Sequence, residues 1–340
     1  MYKEVLTKVT SGQKLDEEEI FDLIAAIKRD EITDVQIAGF QVGLLMKGTS
    51  LEELAAFAKA MRHNCVPLRP RVSAELMDTC GTGGGLSTFN ISTATALVAA
   101  AAGIPIAKHG SRSISSLSGS ADVLEALGVN IELTPAQAEK LIEDIGVAFI
   151  YAPLFHPVMC KVLPPETELG IKTIFYTIIG PLINPAFAPR HLLGVYKPDI
   201  LDTVTYVAKE LGYTTAMFVY GLDEISLLGK TRINELRNGE VRTYEIAPED
   251  FGLARCTIDD IKTGTPEENA AVIRGVFRGE ITGHRKNAIL LNAAGALMVG
   301  DKAASFEEGI ALAREIIDSG RALDKLEALV AHSNAFKTDP

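Results

Sequence analysis

From Asp78 to Thr93 the chain reads Asp-Thr-Cys-Gly-Thr-Gly-Gly-Gly-Leu-Ser-Thr-Phe-Asn-Ile-Ser-Thr. Gly81, Gly83, Gly84 and Gly85 let main-chain N–H groups come close to an anion, with the Thr82 hydroxyl among them. Asn90, Ser92 and Thr93 then offer side-chain donors, as helix caps or as ligand contacts. An apolar run, Ala74 to Met77, enters this stretch like a buried strand, and an alanine-rich run, Ala94 to Ala102, leaves it like a helix. The glycines therefore fall at a strand-to-helix turn, where free N–H groups and the helix dipole favour a phosphate. Two familiar phosphate loops are excluded. A Walker A loop needs Gly-Lys-Ser/Thr where the chain has Gly85-Leu86-Ser87, and a dinucleotide fingerprint needs a third glycine where Leu86 stands.

A second polar segment, Lys108-His-Gly-Ser-Arg-Ser-Ile-Ser-Ser-Leu-Ser-Gly-Ser120, combines two cations with serines and glycines. It makes a poor core and a good wrap around a multiply charged oxyanion, with Lys108 as a point charge. His109 and His156 are the histidines with candidate site roles. Asp223-Glu224 follows an apolar strand that ends near Gly221-Leu222, so adjacent carboxylates sit at a strand end. That arrangement suits Mg²⁺ when phosphate oxygens and water complete the shell.

The elements that must hold these groups divide the chain. Residues 1–70 read as helices, near Tyr2–Thr10, Asp16–Arg29, Thr33–Met46 and Leu51–Asn64, with Asp16, Thr33 and Ser50 as starts. Pro67–Pro70 reads as the linker out of this bundle. From 71 to 340 strands and helices alternate, the pattern of an α/β domain with a mostly parallel sheet flanked by helices. Strands are expected at Leu76–Thr79, Ile104–Lys108, Val147–Tyr151, Leu193–Tyr196, Thr215–Tyr220 and Ile225–Leu228, with an antiparallel edge at Arg242–Ile246. Helices are expected near Ser92–Ala102, Ala121–Leu127, Pro135–Ile145, Ile200–Leu211, Pro266–Arg278, Lys286–Met298, Ser305–Ser319 and Arg321–His332.

With 340 residues, 47% hydrophobic and 23% charged, the chain has the composition of a globular enzyme with a large core. A net charge of −11 and no basic stripe argue against a nucleic-acid binder. Cys65, Cys80, Cys160 and Cys256 are scattered without a CxxC pair, which points to a reducing cytoplasm rather than a disulfide framework. No signal peptide and no membrane span are expected.

Cys80-Gly-Thr-Gly-Gly84, Asn90-Ile-Ser-Thr93, Lys108-His-Gly110, Ser118-Gly-Ser-Ala-Asp-Val-Leu-Glu-Ala-Leu-Gly128 and Gly180-Pro-Leu-Ile-Asn-Pro185 together resemble the anthranilate phosphoribosyltransferase family. The likeness extends over nearly the whole chain, including Gly264-Thr-Pro-Glu-Glu-Asn269. It implies a small helical domain, residues 1–70 completed by helices within about 166–185, beside a larger α/β domain. It also implies a homodimer through the helical domain, Mg²⁺, 5-phosphoribosyl 1-diphosphate (PRPP) as donor and an aromatic amine as acceptor.

Position by position, the resemblance puts Gly81, Thr82, Gly83, Gly84, Asn90, Ser92, Thr93, Lys108 and Ser120 around PRPP. It puts Ser92, Asp223 and Glu224 at the metal, and His109, Ser111, Arg112, Glu166 and Lys172 near the acceptor, with His109 as the catalytic candidate.

Several positions depart from the family pattern. The segment from Gly84 to Asn90 is one residue shorter and lacks its usual aspartate. Ser111 replaces an asparagine, Glu166 an arginine, Tyr176 an asparagine and Lys172 an arginine. A carboxylate at Glu166 would repel the anthranilate carboxylate at short range, so a shifted acceptor, another aromatic amine or an N-heterocycle, is the alternative expectation. A nucleoside phosphorylase-like enzyme and a non-catalytic ligand-binding paralogue are the remaining readings.

Overall fold

The computed structural model describes residues 1–82, 88–113 and 117–337. Four N-terminal helices come first: α1 (Tyr2–Thr10), α2 (Glu17–Lys28), α3 (Asp34–Lys47) and α4 (Leu51–His63). Their starts follow from capping chemistry. Asp16 with Glu19, Thr33 with Gln36, and Ser50 with Glu53 each form a reciprocal capping box. Glu53 is buried and does more, accepting the Leu15 N–H at 3.0 Å and pairing with buried Lys47 at 2.8 Å. It thereby ties the loop before α2 to the start of α4.

The remainder is built on a seven-stranded sheet ordered β3-β2-β1-β4-β5-β6-β7, with β1 (Met77–Gly81), β2 (Ile106–Gly110), β3 (Val147–Tyr151), β4 (Arg190–Gly194), β5 (Thr215–Tyr220), β6 (Thr231–Arg237) and β7 (Glu240–Ile246). The first five are parallel, and β6 and β7 add an antiparallel edge. The chain lays β2 and β3 on one side of β1 and then crosses to place β4 on the other. This reversal leaves a crevice beyond the carboxyl ends of β1 and β4, the usual place for ligands on such sheets.

Two apolar clusters hold the molecule. One packs the helices of the C-terminal part against one side of the sheet. The other joins α1–α4 to Val158, Val162, Phe175, Ile179 and Leu182 and to the opposite sheet face through Leu193 and Phe218. Helix Met159–Leu169 contains Pro164 and Pro165 and is followed by a π-helical turn, Phe175–Ile179, and the short helix Gly180–Leu182.

Three expectations about strands are corrected. No strand forms at Ile225–Leu228, where the i, i+2 spacing of the apolar Ile225 and Leu227 imitates one although Ser226 between them is buried as well. The neighbour of β5 is instead β6, a polar sequence with one buried aliphatic residue on each face, Ile233 and Leu236. Finally, β4 begins at Arg190, not Leu193. Arg190 is held by Glu75 and Asp301, which lets an arginine and a histidine open a strand paired in register with β1.

Candidate active site

The carboxyl ends of β1, β2 and β4 open into a cavity of about 850 Å³. Its sheet end gathers Gly81, Thr82, Asn90, Ser92, Lys108, His109, Ser111, Arg112, Ser120, Asp223 and Glu224. Gly83 and Gly84 lie outside the described residues. Thr93 is not on the wall; it is buried at the start of α5 (Ile91–Ala101) and its Oγ1 has no hydrogen-bond partner among the described residues.

Two glycines explain how the carboxylates reach this place. The turn after β5 carries Leu222 and Asp223 at φ of +78° and +75°, and it presses onto the ends of β1 and β4. A Cβ on Gly194 would lie 1.7 Å from the Asp223 carbonyl oxygen, and one on Gly81 would lie 3.0 Å from the Asp223 carboxylate. The Asp223 carboxylate accepts the Thr82 N–H at 2.9 Å and its hydroxyl at 2.6 Å. Glu224 accepts the Thr88 hydroxyl at 3.0 Å. Burial pushes Glu224 up to about 8, the Asp223 charge adds to that rise and the Thr88 hydrogen bond opposes it. Two adjacent carboxylates held in a buried wall, with the Ser92 hydroxyl on the same cavity, form a hard-oxygen donor set that fits a magnesium ion.

Lys108 is buried, and its ammonium donates to the Thr79 carbonyl at 2.6 Å and lies 3.4 Å from the Ser92 hydroxyl. Burial lowers its pKa and the nearby Asp78 charge resists the fall. Asp78 organises the floor: it accepts the His109 N–H at 3.0 Å and the Asn184 amide at 2.7 Å. The His109 Nε2 lies 3.1 Å from the Nε2 of His156, so one ring donates to the other. Burial holds His109 down at about 4, and both rings are neutral at neutral pH.

The loop after β2 is stapled by Asp122, which accepts the N–H groups of Ser113 at 3.0 Å and Gly119 at 2.8 Å. Ser120, at the cavity, opens helix α6 (Ser120–Ala126). Asn90 adopts a left-handed conformation at φ +58°. Its carbonyl oxygen accepts the Ser118 hydroxyl at 3.1 Å and the Asn269 amide at 2.8 Å. Asn90 does not cap α5 with its side chain, and its amide instead ties three loops together.

The other end of the cavity is mainly apolar, with Met159, Leu163, Pro164, Tyr176, Pro181 and Ile183 on its wall. Here the acceptor expectations change. Glu166 does not face the cavity; it is buried, receives the Gln41 amide at 3.2 Å, the Thr173 N–H at 3.3 Å and the Thr173 hydroxyl, and links its helix to α3. Its expected repulsion of an acceptor carboxylate is thereby removed, whereas Glu168, with Thr167, lines this end of the cavity. Lys172 is also off the wall, with its ammonium 5.1 Å from the Tyr176 ring centre. Arg112 lines the cavity, but its guanidinium is paired with Asp122 and Glu125 and lies over Tyr151.

Sequence reasoning missed Thr88, Asp122 and Asn292. Asn292 carried a usable signal as an amide inside an apolar helix: it lines the cavity, and its side chain brackets Ile225 at 3.0 and 2.8 Å.

A helical bundle set against an α/β sheet, with a polar crevice at the strand reversal, is the architecture of the glycosyl transferase family. Two family models match, the helical bundle domain of the glycosyl transferase family over residues 3–65 and its a/b domain over residues 73–323. The anthranilate phosphoribosyltransferase of Acetivibrio thermocellus is 47% identical over 340 residues, covering 99% of this chain and 98% of that protein. The crystal structure of the Thermus thermophilus anthranilate phosphoribosyltransferase superposes with a TM-score of 0.90 at 40% identity, covering 97% of this chain and 99% of that one. The Saccharomyces cerevisiae enzyme in complex with PRPP and Mg superposes at 0.89 with 27% identity, covering 98% of both chains; it has also been solved with 4-fluoroanthranilate. The chain belongs to the anthranilate phosphoribosyltransferase family.

Proposed function

We propose that this chain transfers the 5-phosphoribosyl group of PRPP to the amino nitrogen of anthranilate, giving N-(5-phosphoribosyl)anthranilate and diphosphate, a step of tryptophan biosynthesis. The observation that carries this reading is the polarity of the cavity. One end offers the buried Lys108 ammonium, strand-end backbone and paired carboxylates, and the other is mainly apolar, with Met159, Leu163, Tyr176 and Ile183 on its wall.

Loss of diphosphate from the anomeric carbon develops positive charge on the ribosyl ring and negative charge on the leaving group. The task is therefore positioning and charge stabilisation, with no covalent nucleophile. In the proposed assignment Gly81, Thr82, Gly83 and Gly84, with Asn90, Ser92, Thr93, Lys108 and Ser120, surround PRPP, Asn90 and Thr93 by shaping the loop and helix start. Magnesium held by Asp223 and Glu224, with Ser92, would neutralise diphosphate charge. His109, neutral, orients the acceptor from the cavity wall, with Ser111 beside it.

The division into residues 1–70, completed by 166–185, and 71–340 belongs to the same proposal. So does a homodimer: Val35, Val42, Leu45 and Met46 recur along α3 and stay exposed, Val35 and Met46 at 82%, an apolar stripe suited to a second copy. The proposed setting is the cytoplasm, consistent with four free cysteines. No helix among the described residues is long and apolar enough to cross a membrane.

Diphosphate release from PRPP and Mg²⁺ tests the reaction, with anthranilate set against a panel of other aromatic amines and N-heterocycles. Anthranilate is expected to be the preferred acceptor, with release abolished by a chelator. Release driven only by another amine, or phosphate-dependent cleavage of a nucleoside in its place, would overturn the assignment.

A further inference from the structure

Beneath the Lys108 floor, Asp78, which also accepts the His109 N–H and the Asn184 amide, meets two groups that the transfer reaction does not use. Asp78 and Cys80 are two residues apart on β1 and so share one face of the sheet, while β4 runs in register and sets His191 directly beside Asp78. Cys80 Sγ lies 3.2 Å from His191 Nε2, and that nitrogen lies 4.0 Å from Asp78 Oδ2. All three donor atoms fall within 4.8 Å of one another.

The surroundings favour these atoms as ligands. Asp78 and His191 are fully buried, whereas Cys80 reaches the cavity wall, which provides an entry path and an open position. His191 is stacked on Tyr213 with ring centres 5.7 Å apart, and its Nδ1 has no hydrogen-bond partner among the described residues.

We infer that Asp78, Cys80 and His191 form a binding site for a soft, zinc-class divalent cation at the floor of the cavity, with its fourth coordination position turned toward the cavity. Carboxylate, thiolate and imidazole are the donors of an open tetrahedral zinc site. They differ from the all-oxygen set of Asp223, Glu224 and Ser92, so the two sites sort cations by softness. Binding forms a metal–sulfur bond and releases the thiol proton of Cys80 to solvent, which makes affinity rise with pH.

The test is a titration of the full chain with Co²⁺ in excess Mg²⁺, read by thiolate-to-cobalt charge-transfer absorption, and a parallel calorimetric titration with Zn²⁺. Neither readout depends on ribosyl transfer. A single ion per chain is expected, with the cobalt band present in the wild type and retained in Cys160→Ser and Cys256→Ser. Cys80→Ser should lose the band, and His191→Gln, which removes a direct ligand, should bind more than about a hundredfold more weakly, beyond the roughly ten- to hundredfold cost of disturbing an outer-shell partner. Circular dichroism establishes that each variant is folded, and two ligands are varied so that a fold failure in one leaves the other to decide. Absence of the band in the wild type, or its survival in Cys80→Ser, overturns the site.

Discussion

The two ends of the cavity are made of different material. The donor end is main chain at strand termini, with Gly81 and Gly194 cleared for the Asp223 turn and with Lys108 buried against a carbonyl. The acceptor end is side chain, carried by a proline-containing helix and a π-helical turn. Backbone geometry changes only at a cost in strain, whereas a side-chain wall is altered one substitution at a time. The departures from the family pattern that fall on described residues divide differently: Glu166 and Tyr176 belong to the acceptor-side helices, Lys172 to the loop between them, and Ser111 to the loop after β2 at the sheet end.

The sharpest way to break this contrast is Lys108→Met. Loss of the buried cation should lower kcat/KM about 10²- to 10³-fold, the scale for removing one preorganised charge-stabilising donor. An unchanged steady-state rate would show that Lys108 is structural. Gly194→Ala comes next. Its methyl group collides with the Asp223 carbonyl, so overpacking should destabilise the fold by about 1–3 kcal/mol and raise the Mg²⁺ concentration needed for half-maximal rate. A variant with wild-type denaturant midpoint and Mg²⁺ response would refute the account of that turn.

Leu163→Ala acts at the other end. It should raise KM for anthranilate about tenfold, the scale of a lost apolar pocket contact, and leave KM for PRPP unchanged. Equal shifts in both constants would erase the distinction between the ends.

The smallest effect is expected from Glu166→Gln. Burial raises the Glu166 pKa above the ordinary value of 4.5, so the folded chain retains a proton that the unfolded chain has already released. The stability this contributes is complete below 4.5 and is lost as pH rises through the folded-state value. Glu166→Gln lacks that loss, and its melting temperature should fall less steeply than the wild type's from acid to neutral pH. Parallel curves would place the carboxylate in a more hydrated setting.

Much of the donor end was legible because its chemistry is contiguous in sequence. Gly81, Thr82 and Ser92 fall within one strand-turn-helix unit, Lys108 lies in the next strand, and all reach the cavity. The capped helices α2–α4 and the strands Val147–Tyr151 and Thr215–Tyr220 also declared themselves, the helices by Ser/Thr/Asp starts and the strands by apolar runs. Strand β6 did not, because Thr231-Arg-Ile-Asn-Glu-Leu-Arg237 has a single aliphatic residue on each face, Ile233 in one cluster and Leu236 in the other, and so shows no apolar alternation. Glu166 was misplaced for a related reason. Its position in a motif fixes which helix carries it, but the direction it faces depends on Gln41, a residue 125 positions away.

Asn90 closes a circuit that spans most of the sequence. One amide joins the entrance of α5 to Ser118 and, 179 residues along the chain, to Asn269. Three rim segments therefore meet at one hydrogen-bond node, and displacing any of them breaks it.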